Sequence, residues 1–72
     1  MKHYKLKNNI RIQRAIKQVT QEEVAAEIGV TRKTINTIEN EVFVPSTLLA
    51  MRIAEYFNAS VEELFYIEIT EE

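Results

Sequence analysis

The chain has 72 residues, with one histidine, one glycine and one proline, and it lacks cysteine and aspartate. This length supports one domain. The composition excludes disulfides, thiolate zinc sites, a glycine-rich phosphate loop and most nucleophile–His–Asp catalytic sites. The net charge of −2 is unevenly distributed, because residues 1–18 carry six basic and no acidic residues, whereas residues 42–72 carry one basic and six acidic residues. This asymmetry favours one basic and one acidic face over an evenly solvated surface.

The amino-terminal part of the chain predicts a strand followed by a helix. Apolar and polar residues alternate over residues 4–7, which is typical of a short strand. Asn8 or Asn9 can cap the start of the first helix. Four residues at i, i+3, i+4 and i+7 make one apolar stripe on that helix: Ile12, Ala15, Ile16 and Val19.

The middle of the chain predicts two helices joined by a short turn. Thr20 begins the capping-box pattern Thr-x-x-Glu, and the helix that follows ends at Gly29, which tolerates the left-handed conformation. Thr31 caps the third helix, which ends at residues 40–41. Only three or four residues separate the two helices. This is helix-turn-helix geometry, in which the second helix can enter a DNA major groove about 12 Å wide.

The carboxyl-terminal part predicts two more helices and a strand. Pro45 fits the start of the fourth helix, with Ser46 as an alternative cap. Ser60 begins a second capping box at the start of a short fifth helix. Residues 66–70 alternate and are β-branched or aromatic, so they predict a strand. A lone strand is unstable, and the amino-terminal segment is its candidate partner.

No targeting signal is visible in the sequence. The basic amino terminus is not followed by an apolar run, so no signal peptide is predicted. No stretch approaches the roughly 20 apolar residues of a membrane span. We therefore expect a cytoplasmic protein with no membrane partner.

Residues 20–40 resemble the helix-turn-helix of the Cro and phage-repressor family, also called the XRE family. The family has a small residue at the position of Ala25, where the helices nearly touch, and glycine at the position of Gly29. It has aliphatic residues at five further matching positions: Val24, Ile28, Val30, Ile35 and Ile38. The resemblance covers about residues 9–66, and the strand-like termini look similar to those of the short cytolysin-repressor members.

This resemblance implies a fold and an assembly. The expected fold is mainly all-α: a five-helix lambda-repressor-like DNA-binding domain spanning residues 1–72, with a small two-stranded β-sheet formed by the termini. The resemblance also implies a homodimer. Two departures from the family are Glu41, which replaces a glycine after Asn40, and the absence of glycine at Gln18-Val19. Glu41 places an acid near the expected phosphate-binding end of the third helix.

The resemblance also implies roles for individual residues. The side chains expected to contact DNA bases lie on the third helix: Arg32, Lys33, Thr34, Asn36 and Thr37. Five others are expected to contact phosphates and so to fix the register: Gln21, Thr31, Asn40, Lys17 and Arg11. Arg14 and Glu39 are expected to form a structural ion pair.

These expectations point to a sequence-specific regulator of transcription that binds double-stranded DNA. The simplest form is a dimeric repressor that reads an inverted-repeat operator in the major groove. A protein-interaction module with the same fold, such as an antitoxin, remains an alternative. No acid–base constellation is recognisable among His3, Tyr4 and the glutamates, so we expect no enzyme. We also expect no cofactor, metal ion or small-molecule ligand.

Overall fold

The computed structural model describes all 72 residues, which form five helices and one antiparallel two-stranded sheet. In chain order the elements are β1 (Lys2–Asn8), α1 (Ile10–Lys17), α2 (Gln21–Ile28), α3 (Arg32–Glu39), α4 (Thr47–Tyr56), α5 (Val61–Leu64) and β2 (Phe65–Glu71). This architecture confirms the predicted fold class, including the sheet formed by the two termini. None of the helices is both long and apolar enough to cross a membrane.

Short-range hydrogen bonds set the starts of four helices. In each, the side-chain hydroxyl of a Ser or Thr accepts the backbone N–H three residues later: Thr20, Thr31, Ser46 and Ser60. Glu23 and Glu63 complete capping boxes by accepting the N–H of the first and last of these residues. Pro45 precedes the cap of α4, so its assignment to the helix start was wrong and the Ser46 alternative is confirmed.

Residues with a left-handed backbone conformation lie at or just beyond the ends of four helices. Gly29 ends α2 with φ of 89°. Gln18, Glu41 and Asn58 adopt positive φ of 60°, 64° and 54° without being glycine. A left-handed conformation costs an ordinary residue about 1–2 kcal/mol. The chain thus keeps the turn geometry at residues 18 and 41, where the related family carries glycine, at a modest cost in stability.

The hydrophobic core lies between the helices and is formed by eleven buried residues: Ile10, Val24, Ala25, Ile28, Ile35, Ile38, Ala50, Ile53, Ala54, Leu64 and Phe65. All the core residues of α2 and α3 stand at positions where the sequence resembles the related family. Phe65 is the first residue of β2, directly after α5.

The predicted apolar stripe of α1 was wrong. Ile10 is fully buried, whereas Ile12 and Ile16 are 58% and 70% exposed. At 3.6 residues per turn, Ile12 lies about 200° and Ile16 about 240° around the helix from Ile10, so they cannot share its face. Ala15 is also exposed, and only Val19, beyond the end of α1, packs against the core. The prediction of a helix was correct, but the side of the helix that faces the core was not the one marked by the apolar stripe.

This orientation of α1 can be tested by two matched substitutions. Ile10→Ala is expected to lower the free energy of unfolding by about 2–5 kcal/mol, because it leaves a cavity in the core. Ile16→Ala removes the same atoms from an exposed position and should stay within about 0.5 kcal/mol of the wild type. Urea unfolding followed by circular dichroism measures both. Equal losses would contradict the orientation of α1.

The terminal sheet has one apolar and one polar face. Leu6 pairs with Ile67 and Tyr4 with Ile69, so these four side chains share a face. Only Leu6 among them packs against the core. Asn8 anchors β1 to the helices, because its Nδ2 donates to the Ile38 carbonyl at 2.9 Å. The sheet is attached at its inner end and leaves most of its apolar face exposed.

Candidate nucleic-acid interface

Helices α2 and α3 form a helix-turn-helix joined by residues 29–31. Val30 packs against the core and anchors the turn. A β-carbon added at Gly29 would meet no atom within 4 Å, so glycine is favoured there for its positive φ and not for space.

The start of α3 presents two free cations. The hydroxyl of Thr31 accepts the N–H of Thr34 at 3.2 Å and fixes the first turn. Arg32 and Lys33 follow directly, are exposed, and make no hydrogen bond or ion pair within the chain. Their guanidinium and ammonium groups are therefore available to an external acceptor.

The remaining predicted base-contacting residues are half-buried along α3. The hydroxyls of Thr34 and Thr31 lie 3.0 Å apart, and the Thr37 hydroxyl donates to the Thr34 carbonyl at 3.0 Å. The hydroxyl oxygens of Thr34 and Thr37 each keep a lone pair for an outside donor, and their methyl groups offer apolar contacts. Asn36 makes one hydrogen bond within the chain at each end of its amide, and it keeps one N–H and one oxygen lone pair.

A buried carboxylate lies behind this surface. The Glu39 side chain has no solvent exposure, and Arg14 clasps it with two hydrogen bonds: Nε to Oε2 at 2.6 Å and a terminal nitrogen to Oε1 at 3.0 Å. Gln21 adds a third bond, from Nε2 to Oε1 at 3.2 Å. No buried side-chain polar atom of the chain lacks a partner. The cluster joins α1, α2 and α3 in one arrangement.

A row of side-chain amides continues from this cluster along the surface. The Gln21 oxygen accepts from Asn36 at 3.4 Å, the Asn36 oxygen accepts from Asn40 at 3.3 Å, and the Asn40 oxygen accepts from Arg11 at 3.3 Å. Three of the five predicted phosphate-contacting residues, Gln21, Asn40 and Arg11, are thus brought into one network, together with Asn36.

The other two predicted phosphate-contacting residues lie apart from this network. Thr31 caps α3. Lys17 is the last residue of α1, and its side chain reaches the carboxyl end of α4. Its Nζ donates to the Tyr56 carbonyl at 3.1 Å and lies 4.0 Å from the centre of the Tyr56 ring. This contact places the amine between a carbonyl and an aromatic face.

The charges of the cluster stabilise each other. Burial alone would raise the pKa of Glu39, but hydrogen bonds from Arg14 and Gln21 and the charges of Arg14 and Arg11 lower it below its ordinary value of 4.5. The hydrogen bond with Glu39 raises the pKa of Arg14. The pair therefore stays ionised over the whole physiological range.

The lowered pKa of Glu39 makes stability depend on pH. A carboxylate with a lower pKa in the folded state stabilises the fold fully above its unfolded pKa, and this stabilisation is lost as the pH falls through the folded pKa. We expect thermal unfolding temperatures to be constant above about pH 5 and to fall at lower pH. Glu39→Gln should flatten this acid limb, whereas Glu22→Gln, which removes an exposed unpaired carboxylate, should retain it. An unchanged acid limb in Glu39→Gln would contradict the assignment.

The structure also shows why Glu41 is tolerated beside α3. Its carboxylate lies 3.3 Å from Lys5 Nζ and 3.0 Å from Lys7 Nζ. The hydrogen bond from Lys7, followed by that from Lys5, lowers the pKa of Glu41. Strand β1 thus neutralises the acid that the sequence places near the expected phosphate-binding end of α3. Sequence reasoning missed this pairing, although the spacing of the two lysines in a predicted strand signals that they share a face.

Five features define the chain as a helix-turn-helix protein: a capped α2, a left-handed glycine, a capped α3, free cations at the start of α3, and a buried ion pair behind them. A sequence model of the helix-turn-helix family matches residues 10–64. An uncharacterised HTH-type transcriptional regulator of Methanocaldococcus jannaschii is 40% identical over 63 residues, which cover 88% of this chain and 96% of that protein. The uncharacterised HTH-type transcriptional regulator YgzD of Bacillus subtilis is 38% identical with the same coverage.

A solved structure is also similar. The crystal structure of a proposed DNA-binding protein from Bacteroides fragilis superimposes with a TM-score of 0.76 and 26% identity, covering 85% of this chain and 98% of that one. The chain belongs to the XRE-type helix-turn-helix family of transcriptional regulators.

Proposed function

We propose that residues 1–72 act as one cytoplasmic DNA-binding unit, a homodimeric transcriptional repressor that reads an inverted-repeat operator in the major groove. The observation that carries this proposal is the start of α3, where Arg32 and Lys33 are exposed and unpaired on the second helix of a helix-turn-helix. If these cations were buried or paired within the chain, they would not be available to contact DNA. The family membership and the regulator relatives support the same function.

Base recognition follows from the chemistry of α3. Arg32 can donate two hydrogen bonds to guanine O6 and N7, and Lys33 can bind the same acceptors. Thr34 and Thr37 can bond a base edge or contact a thymine methyl. Asn36 keeps one amide N–H and one oxygen lone pair beside its bonds to Gln21 and Asn40, and these can contact a base edge.

Phosphate contacts would come from the ends of the two helices. The free N–H groups at the start of α2 favour an anion, and Gln21 is its first residue. Arg11 and Asn40 lie together beside the end of α3, and Thr31 lies at its start. Lys17 would first have to leave Tyr56. These contacts orient the protein on the duplex without reading sequence.

Two exposed apolar patches are candidates for the dimer interface. One lies on α4 and the loop before it and comprises Val44, Leu48 and Met51, which are 66%, 70% and 56% exposed. The other is the outer part of the apolar sheet face. A two-fold dimer needs a self-complementary patch of this kind, and it would place two α3 helices about 34 Å apart, one turn of DNA.

The proposal is tested by selecting bound duplexes from a random library of about 30 base pairs at about 150 mM salt. Recovery of an inverted repeat with half-sites one turn apart, together with a dimer in analytical ultracentrifugation, is the expected result. The matched control is the double variant Arg32→Ala/Lys33→Ala, which should fold and recover nothing. Binding of the wild type only at low salt and without sequence preference would overturn the proposal.

One observation favours the second candidate, a protein-interaction module such as an antitoxin. Ile12 and Ile16 expose a branched apolar face of α1 on the side opposite the core, where a protein partner could bind. This candidate predicts that the Arg32→Ala/Lys33→Ala variant keeps the biological function and that Ile12→Glu loses it. The regulator proposal predicts the reverse.

A further inference from the structure

A groove runs beside the exposed side of α3 and is distinct from the core. It has a volume of about 340 Å³ and is open to solvent. One wall is the polar side of α3, and the other is the loop that follows α3. We name it the α3–loop groove, and its lining residues are Thr31, Lys33, Thr34, Thr37, Val42 and Phe43.

The loop wall of this groove is apolar and held in place. Val42 and Phe43 are 78% and 47% exposed. The backbone N–H groups of both residues donate to the Thr37 carbonyl, at 2.9 and 3.2 Å. The backbone of the two residues is therefore fixed to the end of α3, next to side chains expected to contact bases. The Val42 side chain is therefore held mostly in water, and about half of Phe43 is exposed beside it.

We propose that Val42 and Phe43 contact the 5-methyl group of a thymine and thereby make the protein prefer thymine at one or two operator positions. This inference rests on the proposed function. The thymine methyl is the apolar group that the major groove offers, so it matches an apolar wall beside polar, base-contacting side chains. The groove is continuous with the proposed base-contacting surface, because Lys33, Thr34 and Thr37 line it.

A second copy of the chain fits this groove less well than DNA does. Covering the groove with a protein surface would also bury the Lys33 ammonium, and no acidic residue lines the groove to pair with it. A duplex supplies phosphates and base acceptors for that ammonium and a methyl for the loop wall. The apolar side chains of Val44, Leu48 and Met51 lie outside the groove and remain free for a dimer contact.

The test replaces each thymine of the selected operator in turn by deoxyuridine, which lacks only the methyl group. Fluorescence anisotropy gives the Kd of each duplex for the full-length wild type, Val42→Ala, Phe43→Ala and the control Ile16→Ala. Ile16 is an exposed apolar residue of α1 that does not line the groove. We expect about fourfold weaker wild-type binding at one or two positions, the effect of one buried methyl group.

Combining deoxyuridine in the DNA with alanine in the protein shows whether the loss of affinity comes from the loop wall. At those positions, the penalty for deoxyuridine should fall below about 1.5-fold in Phe43→Ala or Val42→Ala and stay near fourfold in Ile16→Ala. The inference is overturned if no deoxyuridine changes the Kd of the wild type. It is also overturned if Val42→Ala and Phe43→Ala both keep the fourfold loss, because the threonine methyls would then contact the thymine. Val42→Ala keeps the test valid if Phe43→Ala unfolds, since Val42 is the more exposed residue.

Two other outcomes are distinguishable. If Phe43→Ala weakens binding equally on all duplexes and converts dimer to monomer in ultracentrifugation, the groove is a contact between copies and the inference fails. If the wild type binds no duplex specifically, the proposed function fails, and the thymine contact fails with it. Specific binding without any methyl dependence leaves the proposed function intact and removes the inference alone.

Discussion

Replacing Arg14 with methionine is expected to lower the free energy of unfolding by about 3–5 kcal/mol, because the buried Glu39 carboxylate then keeps only the Gln21 hydrogen bond and the exposed Arg11 beside it. The carboxylate has no solvent exposure and cannot turn to water. The expected loss is comparable with the whole stability of a domain of 72 residues, about 4–11 kcal/mol. Urea unfolding near pH 7 should show a strongly destabilised or largely unfolded variant.

The converse substitution and the double variant test whether the two side chains stabilise each other. Glu39→Leu should cost less, since Arg14 is 18% exposed and its guanidinium can reach water. The double variant Arg14→Met/Glu39→Leu should be more stable than Arg14→Met, because no buried charge remains and the apolar side chains can pack together. Strictly additive losses would mean that the two side chains do not interact and would contradict the geometry.

Arg32→Ala is expected to weaken operator binding by about 1–3 kcal/mol, or about 5- to 150-fold, and to relax specificity at one base position. The reason is that a guanidinium contacting guanine O6 and N7 makes two hydrogen bonds that no other base offers in the same pattern. Unfolding of this variant should match the wild type, since Arg32 makes no contact that supports the fold. Measuring Kd for the operator and for every single-base change of it shows both effects.

Arg11→Ala is the matched comparison for Arg32→Ala. It removes an exposed arginine that lies beside Asn40, in the group expected to contact phosphates. Its loss of affinity should be uniform across sequences, and the dependence of binding on salt should fall by about one phosphate contact. If Arg32→Ala instead gave the uniform loss, Arg32 would be a phosphate contact and the orientation of α3 in the groove would need revision.

Much of the helix-turn-helix could be predicted from the sequence because its signals are local. Thr20 and Thr31 cap helices by bonding an N–H three residues away. Gly29 takes the left-handed φ that ends α2. The inward faces of α2 and α3 follow from helical period together with close helix packing. Only the family resemblance suggested that Arg14 would meet Glu39, 25 residues later, and the structure shows this contact.

The functional surface was predictable only in part. The free cations of α3 follow from its cap, since residues directly after a capped start project from the exposed end of the helix. The amide row from Gln21 to Arg11 was not predictable, because it depends on side chains from three helices meeting at hydrogen-bond distance. The roles of these residues toward DNA remain predictions that the binding experiments address.

The sequence by itself determined where α2, α3 and α5 start, where the turn lies and which two termini pair, because caps, glycine and alternation act over a few residues. The tertiary structure alone decided which way α1 faces and which partners Lys17 and Glu41 take. Periodicity defines a stripe but not what packs against it, so Ile12 and Ile16 could be assigned to solvent only once Ile10 was seen in the core. Lys7 and Glu41 are 34 residues apart, and only the packing of β1 beside the end of α3 brings their charges together.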